Sequence, residues 1–487
     1  MSALLINAIR NGDSSRVSQL ITAGADPNYR LPAESDHGAF LDQVTPLMVA
    51  VAAPKSNAEI VNILLANGAE PFAVSSGKVS ATWYASGGGT GYSLSKAKLQ
   101  TLEPDHPYLN WGGGDVERLR MLLDAGGDPN ESASNGRSCV YEACSVGDPA
   151  RLKLLIERGA KVGPTLPPTS IKDSISEAFG KNIPKAVREM MADSGYQLVP
   201  LFAASSEGNV ECVKLIIEAG FPADFELNGD NAVTGVGNTE VLEYLWAQGV
   251  RPQTGRFGFD AIDDAIESDN LSVLRFLLGK VDRATVQEKL LTASGVRMNP
   301  RAVRLLLELG ADANQPSKDY GSPLHTACWQ GDGNNGRDTR EVEETIQLLI
   351  DAGADPNLLS RETRPLHEAV FGDWGSPTSV RVLLSRGADI NAPNENGQTA
   401  LMVAAQHGEV ECLRLLLEAG ANRTLKDNQG KIALDYASDH LKVWKKPYFK
   451  FLNRGIDKIF TSMGLNGDEL SEKALTEAQL AVELLRN

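Results

Sequence analysis

Apolar and polar residues follow a repeated pattern along the 487-residue chain. A stretch with apolar residues at helical spacing ends in a glycine and leads into a short polar turn, as in LITAGADPN, LLDAGGDPN and LLIDAGADPN. The apolar residues share one face of a predicted helix, and glycine ends it because glycine adopts the left-handed backbone conformation without steric cost. The glycines are Gly24, Gly68, Gly126, Gly159, Gly220, Gly249, Gly310, Gly353, Gly387 and Gly420.

A second pattern predicts another helix before several of the helices that end in these glycines. It reads TPLMVA at 45–50, SPLHTA at 322–327, RPLHEA at 364–369 and TALMVA at 399–404. Proline is tolerated in the first turn of a helix, where its missing N–H would have no partner. His325 and His367 follow the leucine, and we expect them to bond to backbone groups of neighbouring turns and not to hold a metal.

The glycines at 126 and 159, at 353 and 387, and at 387 and 420 are separated by 33, 34 and 33 residues. With the two patterns, this spacing resembles the ankyrin-repeat family, whose unit is a β-turn followed by two antiparallel helices with a T-P-L-H opening. The resemblance implies an all-α ankyrin-repeat solenoid of helix-turn-helix units with β-hairpin loops. We expect about thirteen units, several of them degenerate, and a C-terminal capping helix.

The quality of the match predicts four segments. They are N-terminal ankyrin repeats in 1–163 with an insertion at 86–114, degenerate short units in 164–298, well-matched repeats in 299–455, and a C-terminal helical cap in 456–487. Shorter insertions are expected at 29–43 and 331–341. In the cap, Leu475, Leu480 and Leu484 recur at helical spacing, and Ser471 is expected to cap the helix. We expect this helix to cover the last repeat, and the alternative is that it recruits a partner.

The resemblance implies a binding surface on the concave face, which hairpin tips and first helices form. Trp329 and Phe371 occupy equivalent places in adjacent repeats, and large aromatic residues are typical interface anchors. The alternative is that the loop at 331–341 or the turn near Trp374 buries them. The other predicted contact residues are Thr326, Gln330, Glu368, Trp374, Val403, Gln406 and His407 on or beside the first helices, and Tyr320, Arg361, Arg364, Asn394 and Asn396 in the hairpins.

The net charge of −16 favours a protein partner of basic or mixed charge. It disfavours nucleic acid and anionic membranes, which require cations on the protein. No apolar stretch approaches the length of a membrane span, and the N-terminus lacks the basic region of a signal peptide. The five cysteines include no CxxC pair. We therefore expect reduced thiols in a cytoplasmic chain that is monomeric on its own.

No sequence motif indicates catalysis, a cofactor or a metal. GxSxG, HExxH and kinase motifs are lacking, and GGGTG at 87–91 has no P-loop lysine. The leading hypothesis is a non-enzymatic scaffold or adaptor that binds one protein on its concave face. A narrower form is an inhibitor or immunity-type protein that masks a basic enzyme. The alternatives are a host-directed effector that uses ankyrin repeats for targeting, and a structural spacer.

Overall fold

Helix pairs build the whole of the described structure. The computed structural model describes residues 1–31, 43–53, 55–75, 79–87, 116–133, 136–164, 198–227, 230–252, 260–317, 319–329, 338–372, 375–444 and 467–486. They divide into an N-terminal block, Met1–Ala261, and a C-terminal block, Ile262–Asn487. Among the described residues the only strand-like pairings are isolated antiparallel bridges in the hairpins. The predicted all-α solenoid is confirmed.

The N-terminal block stacks helices that pair in chain order. They are α1 Ser2–Arg10, α2 Ser14–Thr22, α3 Pro46–Ala52, α4 Ala58–Ala66, α5 Ala81–Ala85, α6 Val116–Asp124, α7 Cys139–Ser145, α8 Pro149–Glu157, α9 Pro200–Glu207, α10 Val210–Glu218 and α11 Thr239–Ala247. Residues 231–237, which precede α11, form turns where the other repeats have a first helix. This repeat is degenerate, as the weak sequence match indicated.

The C-terminal block continues the same pairing. Its helices are α12 Ala261–Glu267, α13 Leu271–Leu278, α14 Arg283–Leu291, α15 Pro300–Glu308, α16 Pro323–Trp329, α17 Thr339–Asp351, α18 Pro365–Glu368, α19 Pro377–Ser385, α20 Ala400–His407, α21 Val410–Glu418, α22 Ala433–Trp444 and α23 Gly467–Arg486. A π-helix, Thr292–Val296, extends α14. Part of the expected loop at 331–341 is helical, because α17 begins at Thr339.

Side-chain caps and glycines set the ends of the second helices. Most of the second helices begin with a capping side chain that accepts a backbone N–H of the first turn, as at Asp13, Asn57, Asp148, Asn209 and Asn299. All ten glycines that the sequence pattern singled out have φ between 84° and 96°. The predicted left-handed helix ends are therefore confirmed.

An asparagine in the turn after each of several second helices joins one repeat to the next. The Asn357 side chain donates to Gly387 O at 3.0 Å and accepts from Asp389 N at 2.7 Å. The same pair of bonds is made by Asn28, Asn130 and Asn314. The repeat spacing is therefore fixed by hydrogen bonds from asparagine side chains to the backbone as well as by apolar packing.

The helix α23 packs on α22 and α21 and covers the last helix pair, so the capping role is confirmed. The predicted start of the helix is wrong. The helix begins at Gly467 and not at Ser471, and its buried residues are Ala478, Ala481, Val482 and Leu485. Leu480 and Leu484 are only partly buried.

Several sequence predictions fall outside the described residues. They concern most of the insertion at 86–114, residues 32–42 and 330–337 of the shorter insertions, residues 165–197 of the degenerate segment, and 445–466 before the cap. The number of repeats and the four segment boundaries therefore remain predictions.

Candidate functional site

One position at or just beyond the end of the first helix faces outward in most repeats of the C-terminal block, and Gly295 is the buried exception. The position lies five residues after the apolar residue that starts the buried face, for example after Leu324 in α16 and after Leu366 in α18. Trp329 and Phe371 hold this position in adjacent repeats and are 43% and 48% exposed. We call the set of such residues the outer row, which comprises Glu267, Gly295, Trp329, Phe371, Gln406 and Asp439.

Phe371 is supported from the next repeat. Its ring lies 4.8 Å from the His407 ring, centroid to centroid, at an angle of 58°. Gln406 is exposed beside His407 and accepts from the Gln398 side chain at 3.3 Å. Phe371 remains exposed to solvent beside these contacts. Trp329 and Phe371, which we call the aromatic pair, are therefore both accessible in the described structure.

Glu368 is a partly buried carboxylate at the same site. It accepts a hydrogen bond from the hydroxyl of Thr363. Burial raises the pKa of Glu368, while the bond from Thr363 and the nearby charge of Arg361 lower it. Burial is the largest of the three effects, so the present partners do not fully offset the loss of water around the carboxylate.

The hairpins beside the outer row are held by their arginines. Arg361 donates to Asp319 O in the preceding hairpin, and Arg364 donates to Pro393 O at 3.0 Å in the following one. Arg361 and Glu362 both have positive φ, 49° and 68°, in a two-residue turn that usually takes Asn-Gly. Tyr320 is 58% exposed in its own hairpin. The arginines therefore connect hairpins as well as border the surface.

Two of the predicted contact residues are buried, and two others lie outside the described residues. The expectation that Thr326 faces a partner is wrong, because it is only 6% exposed, donates to Pro323 O and bonds to Ser294. Val403 is likewise buried. Gln330 and Trp374 lie outside the described residues. The structure also exposes Leu359 by 41% in the 358–364 hairpin. Nothing in the repeat pattern distinguished it from a buried leucine.

The two histidines of the PLH pattern have the structural role that the sequence indicated. His325 accepts from Ser322 Oγ at 2.8 Å and donates from Nε2 to Thr363 O of the next hairpin, 3.3 Å away. His367 donates from Nε2 to Gln398 O at 2.8 Å. Burial is the main reason that the pKa of each is lowered to about 4. Both rings are neutral bridges between repeats.

Acidification is therefore expected to weaken the C-terminal block. Below the ordinary histidine pKa of 6.5 the unfolded chain takes up protons that folded His325 and His367 do not, so stability falls as the pH drops from 6.5 towards 4. We expect a loss of about 2 kcal/mol for each histidine between pH 7 and pH 5. Urea unfolding at the two pH values measures it. A His325→Gln/His367→Gln variant with an unchanged pH dependence would contradict this assignment.

In the N-terminal block, the positions equivalent to the outer row carry different types of residue. The equivalent residues there are Arg10, Ala52, Gly87, Ser145 and Ser206. None is aromatic, and Ala52 and Gly87 are buried. Glu142 of α7 is fully buried against the Arg137 guanidinium at 2.8 Å. Burial raises the pKa of Glu142 to about 7. The exposed aromatic pair is thus particular to the C-terminal block among the described residues.

Metal-binding clusters, reactive thiols and membrane-spanning helices were each sought in the described part of the chain. No group of three or more His, Cys, Asp or Glu side chains there is placed to hold a metal ion. All five cysteines are buried, and burial raises the thiol pKa of Cys139, Cys144, Cys212 and Cys328. None of the described helices is both long and apolar enough to cross a membrane.

Comparison with known proteins gives matches to one kind of repeat. A family model described as ankyrin repeats in three copies matches residues 290–394 and 366–458, and a single ankyrin-repeat model matches residues 42–76. The outer-row residues Trp329 and Phe371 lie within the first of these matches.

Three curated relatives illustrate the range of the similarity. The ankyrin repeat and KH domain-containing protein mask-1 of Caenorhabditis elegans is 24% identical over 53% of this chain and 9% of its own length. Protein VAPYRIN-LIKE of Medicago truncatula is 25% identical over 45% and 47%. The E3 ubiquitin-protein ligase KEG of Arabidopsis thaliana is 31% identical over 61% and 17%. The chain thus spans less than half the length of each.

Proposed function

Because the chain is an ankyrin-repeat protein, and ankyrin repeats are protein–protein interaction modules, we propose that it is a non-catalytic scaffold or adaptor. It binds one protein partner on the concave face of the C-terminal block. The observation that carries the proposal is the exposure of Trp329 and Phe371 at the same place in adjacent repeats. Exposed aromatic pairs of this kind are typical centres of binding energy in interfaces.

The surrounding groups fit the rim of such an interface. Gln406, His407 and Glu368 border the aromatic pair on the helices, and Tyr320, Arg361 and Arg364 border it in the hairpins. Hairpins that bond to one another hold this rim in one shape, which lowers the entropy lost on binding. A partner therefore meets a preformed surface with an apolar centre and polar edges.

The charge of the chain supports an inhibitory form of the same function. A net charge of −16 attracts a basic protein and accelerates its association at low salt. In this form the chain masks the surface of a basic enzyme. The alternative of a host-directed effector uses the same surface for targeting. Identification of the partner separates the two, since only the first requires that the partner loses its activity when bound.

Truncation of the aromatic pair tests the function. Partners are captured with the full chain as bait and identified, and the Kd of the purified complex is then measured by calorimetry. We expect Trp329→Ala and Phe371→Ala each to weaken binding about 10- to 30-fold, and the double variant by at least about 100-fold, because interface aromatic residues contribute most.

The matched control is Phe72→Ala. Phe72 is 60% exposed in a hairpin of the N-terminal block, so the substitution removes an equally accessible aromatic ring elsewhere. Its Kd is expected to equal that of the unmodified chain. A double variant that binds every captured partner with full affinity rejects this surface as the binding site. It would leave the chain as a spacer or place the partner on another face.

A further inference from the structure

Glu368 is the last residue of α18, just before the exposed ring of Phe371. Phe371 follows it by three residues, and the Phe371 N–H donates to Glu368 O at 3.2 Å. On the other side α18 packs against α16, whose last two residues are Cys328 and Trp329. The pKa of the Cys328 thiol is raised by burial and further by the charge of Glu368. Glu368 is thus in the turn that carries Phe371, and its charge acts at the end of α16 that carries Trp329.

The hydrogen bond that Glu368 already accepts does not use the full capacity of its carboxylate. Thr363 donates one hydrogen bond to Oε1, whereas a carboxylate accepts several. Arg361 is the cation whose charge acts on Glu368, and its guanidinium is bonded to Asp319 O. The faces of aromatic rings carry negative potential. A surface that carries the Glu368 carboxylate together with the exposed rings of Trp329 and Phe371 therefore favours a positive group over a neutral one.

We propose that a lysine or arginine side chain of the protein partner enters between Trp329 and Phe371 and pairs with Glu368. The inference rests on the proposed function, because it specifies what the partner presents at that surface. The aliphatic stem of the side chain packs along the two rings, and its charged end reaches the carboxylate. The chain has 63 acidic and 47 basic residues. This excess of negative charge also attracts a positively charged side chain, at longer range.

The raised pKa of Glu368 supports this arrangement. Burial disfavours the ionised carboxylate in the free chain, and a cation from the partner would favour it again. The competing occupant is an uncharged apolar side chain, which would use the two rings and ignore the carboxylate. A comparison of a charged probe with a neutral one of the same length distinguishes them.

The experiment uses the full chain labelled with 5-fluorotryptophan, which gives one fluorine signal for each of six tryptophans. Trp329→Phe identifies the Trp329 signal. The probes are an acetylated, amidated Gly-Gly-Lys-Gly-Gly peptide and its norleucine counterpart, which lacks only the charged amine. We expect the lysine peptide to shift the Trp329 signal with a Kd about fivefold lower than that of the norleucine peptide.

The second part of the experiment repeats the titrations with variants that lack one carboxylate. Glu368→Gln keeps the size and polarity of the side chain, and it is expected to abolish the preference for lysine. Glu418→Gln makes the same change of charge at an exposed position at the end of α21, and the preference is expected to remain.

Two outcomes overturn the inference. One is equal response to both peptides, or none to either. The other is a lysine preference that survives Glu368→Gln, which would attribute it to the overall charge. Neither outcome rejects the proposed function, which fails only if the purified partner binds the Trp329→Ala/Phe371→Ala variant with full affinity.

Discussion

Replacement of Trp83 by alanine is expected to lower the free energy of unfolding of the N-terminal block by about 3–5 kcal/mol. The Trp83 side chain is completely buried in α5, and its Nε1–H donates to Arg137 O at 2.8 Å. Its ring also meets the Tyr84 ring edge-on, with centroids 5.2 Å apart. Alanine removes the packing, leaves a cavity and deprives a carbonyl of its donor.

Two further substitutions separate the contributions. Trp83→Phe keeps most of the ring volume and loses the donor, so we expect a smaller loss of about 1–2 kcal/mol. Trp83→His keeps a donor and loses volume. Urea unfolding monitored by circular dichroism, with hydrogen exchange to localise the effect, measures all three. If Trp83→Ala lies within about 1 kcal/mol of the unmodified chain, the indole is not the bridge between repeats that the structure indicates.

Trp83 also shows what the sequence pattern could and could not predict. His325 stands three residues after Ser322 and donates to a carbonyl of the next hairpin. Trp83 stands three residues after Ser80 and makes the same bond. In these two repeats a ring N–H donor holds this place, and it need not be a histidine. The spacing from the serine was visible in SATWYA, but without proline and leucine the match to the PLH pattern was lost.

The helix ends and the outer row were predictable because they depend on local rules. A glycine at a helix end requires only a left-handed backbone, and all ten have it. The exposure of Trp329 and Phe371 follows from helical periodicity, which places a residue five positions after the buried leucine on the open side. The left-handed helix ends require no knowledge of a neighbouring repeat, whereas the exposure does in part, since Ala52 and Gly87 are buried at the equivalent position.

The burial of Thr326 was not predictable from local rules. A Cβ built on Gly295 would lie 2.9 Å from the Thr326 Cβ. The π-helix that contains Gly295 therefore approaches α16 more closely than a side chain at 295 would allow. The sequence around 292–296 matches the repeat poorly, so neither the π-helix nor its close contact with α16 could be read from it. Details of this kind depend on the fit between repeats.

The degenerate repeat at α12 makes its connection with a charged pair. Asp263 follows Ile262 as His325 follows Leu324, so it takes the place of the bridging histidine. The ammonium of Lys289 in α14 reaches its carboxylate at 2.8 Å, and the two side chains are only 7% and 3% exposed. Burial removes water from both charges. The pair is therefore stable only because the two groups are held in direct contact.

Lys289→Met is accordingly expected to lower the free energy of unfolding of the C-terminal block by about 3–5 kcal/mol. Methionine has a similar length, so the loss arises from the Asp263 carboxylate, which stays buried without that opposite charge. Asp263→Leu/Lys289→Met removes both charges and is expected to recover most of the loss, since apolar replacement of a whole buried pair is often neutral or stabilising. Chemical unfolding of the two variants gives the comparison. A double variant no more stable than Lys289→Met would mean that the pair contributes through its shape and not through its charge.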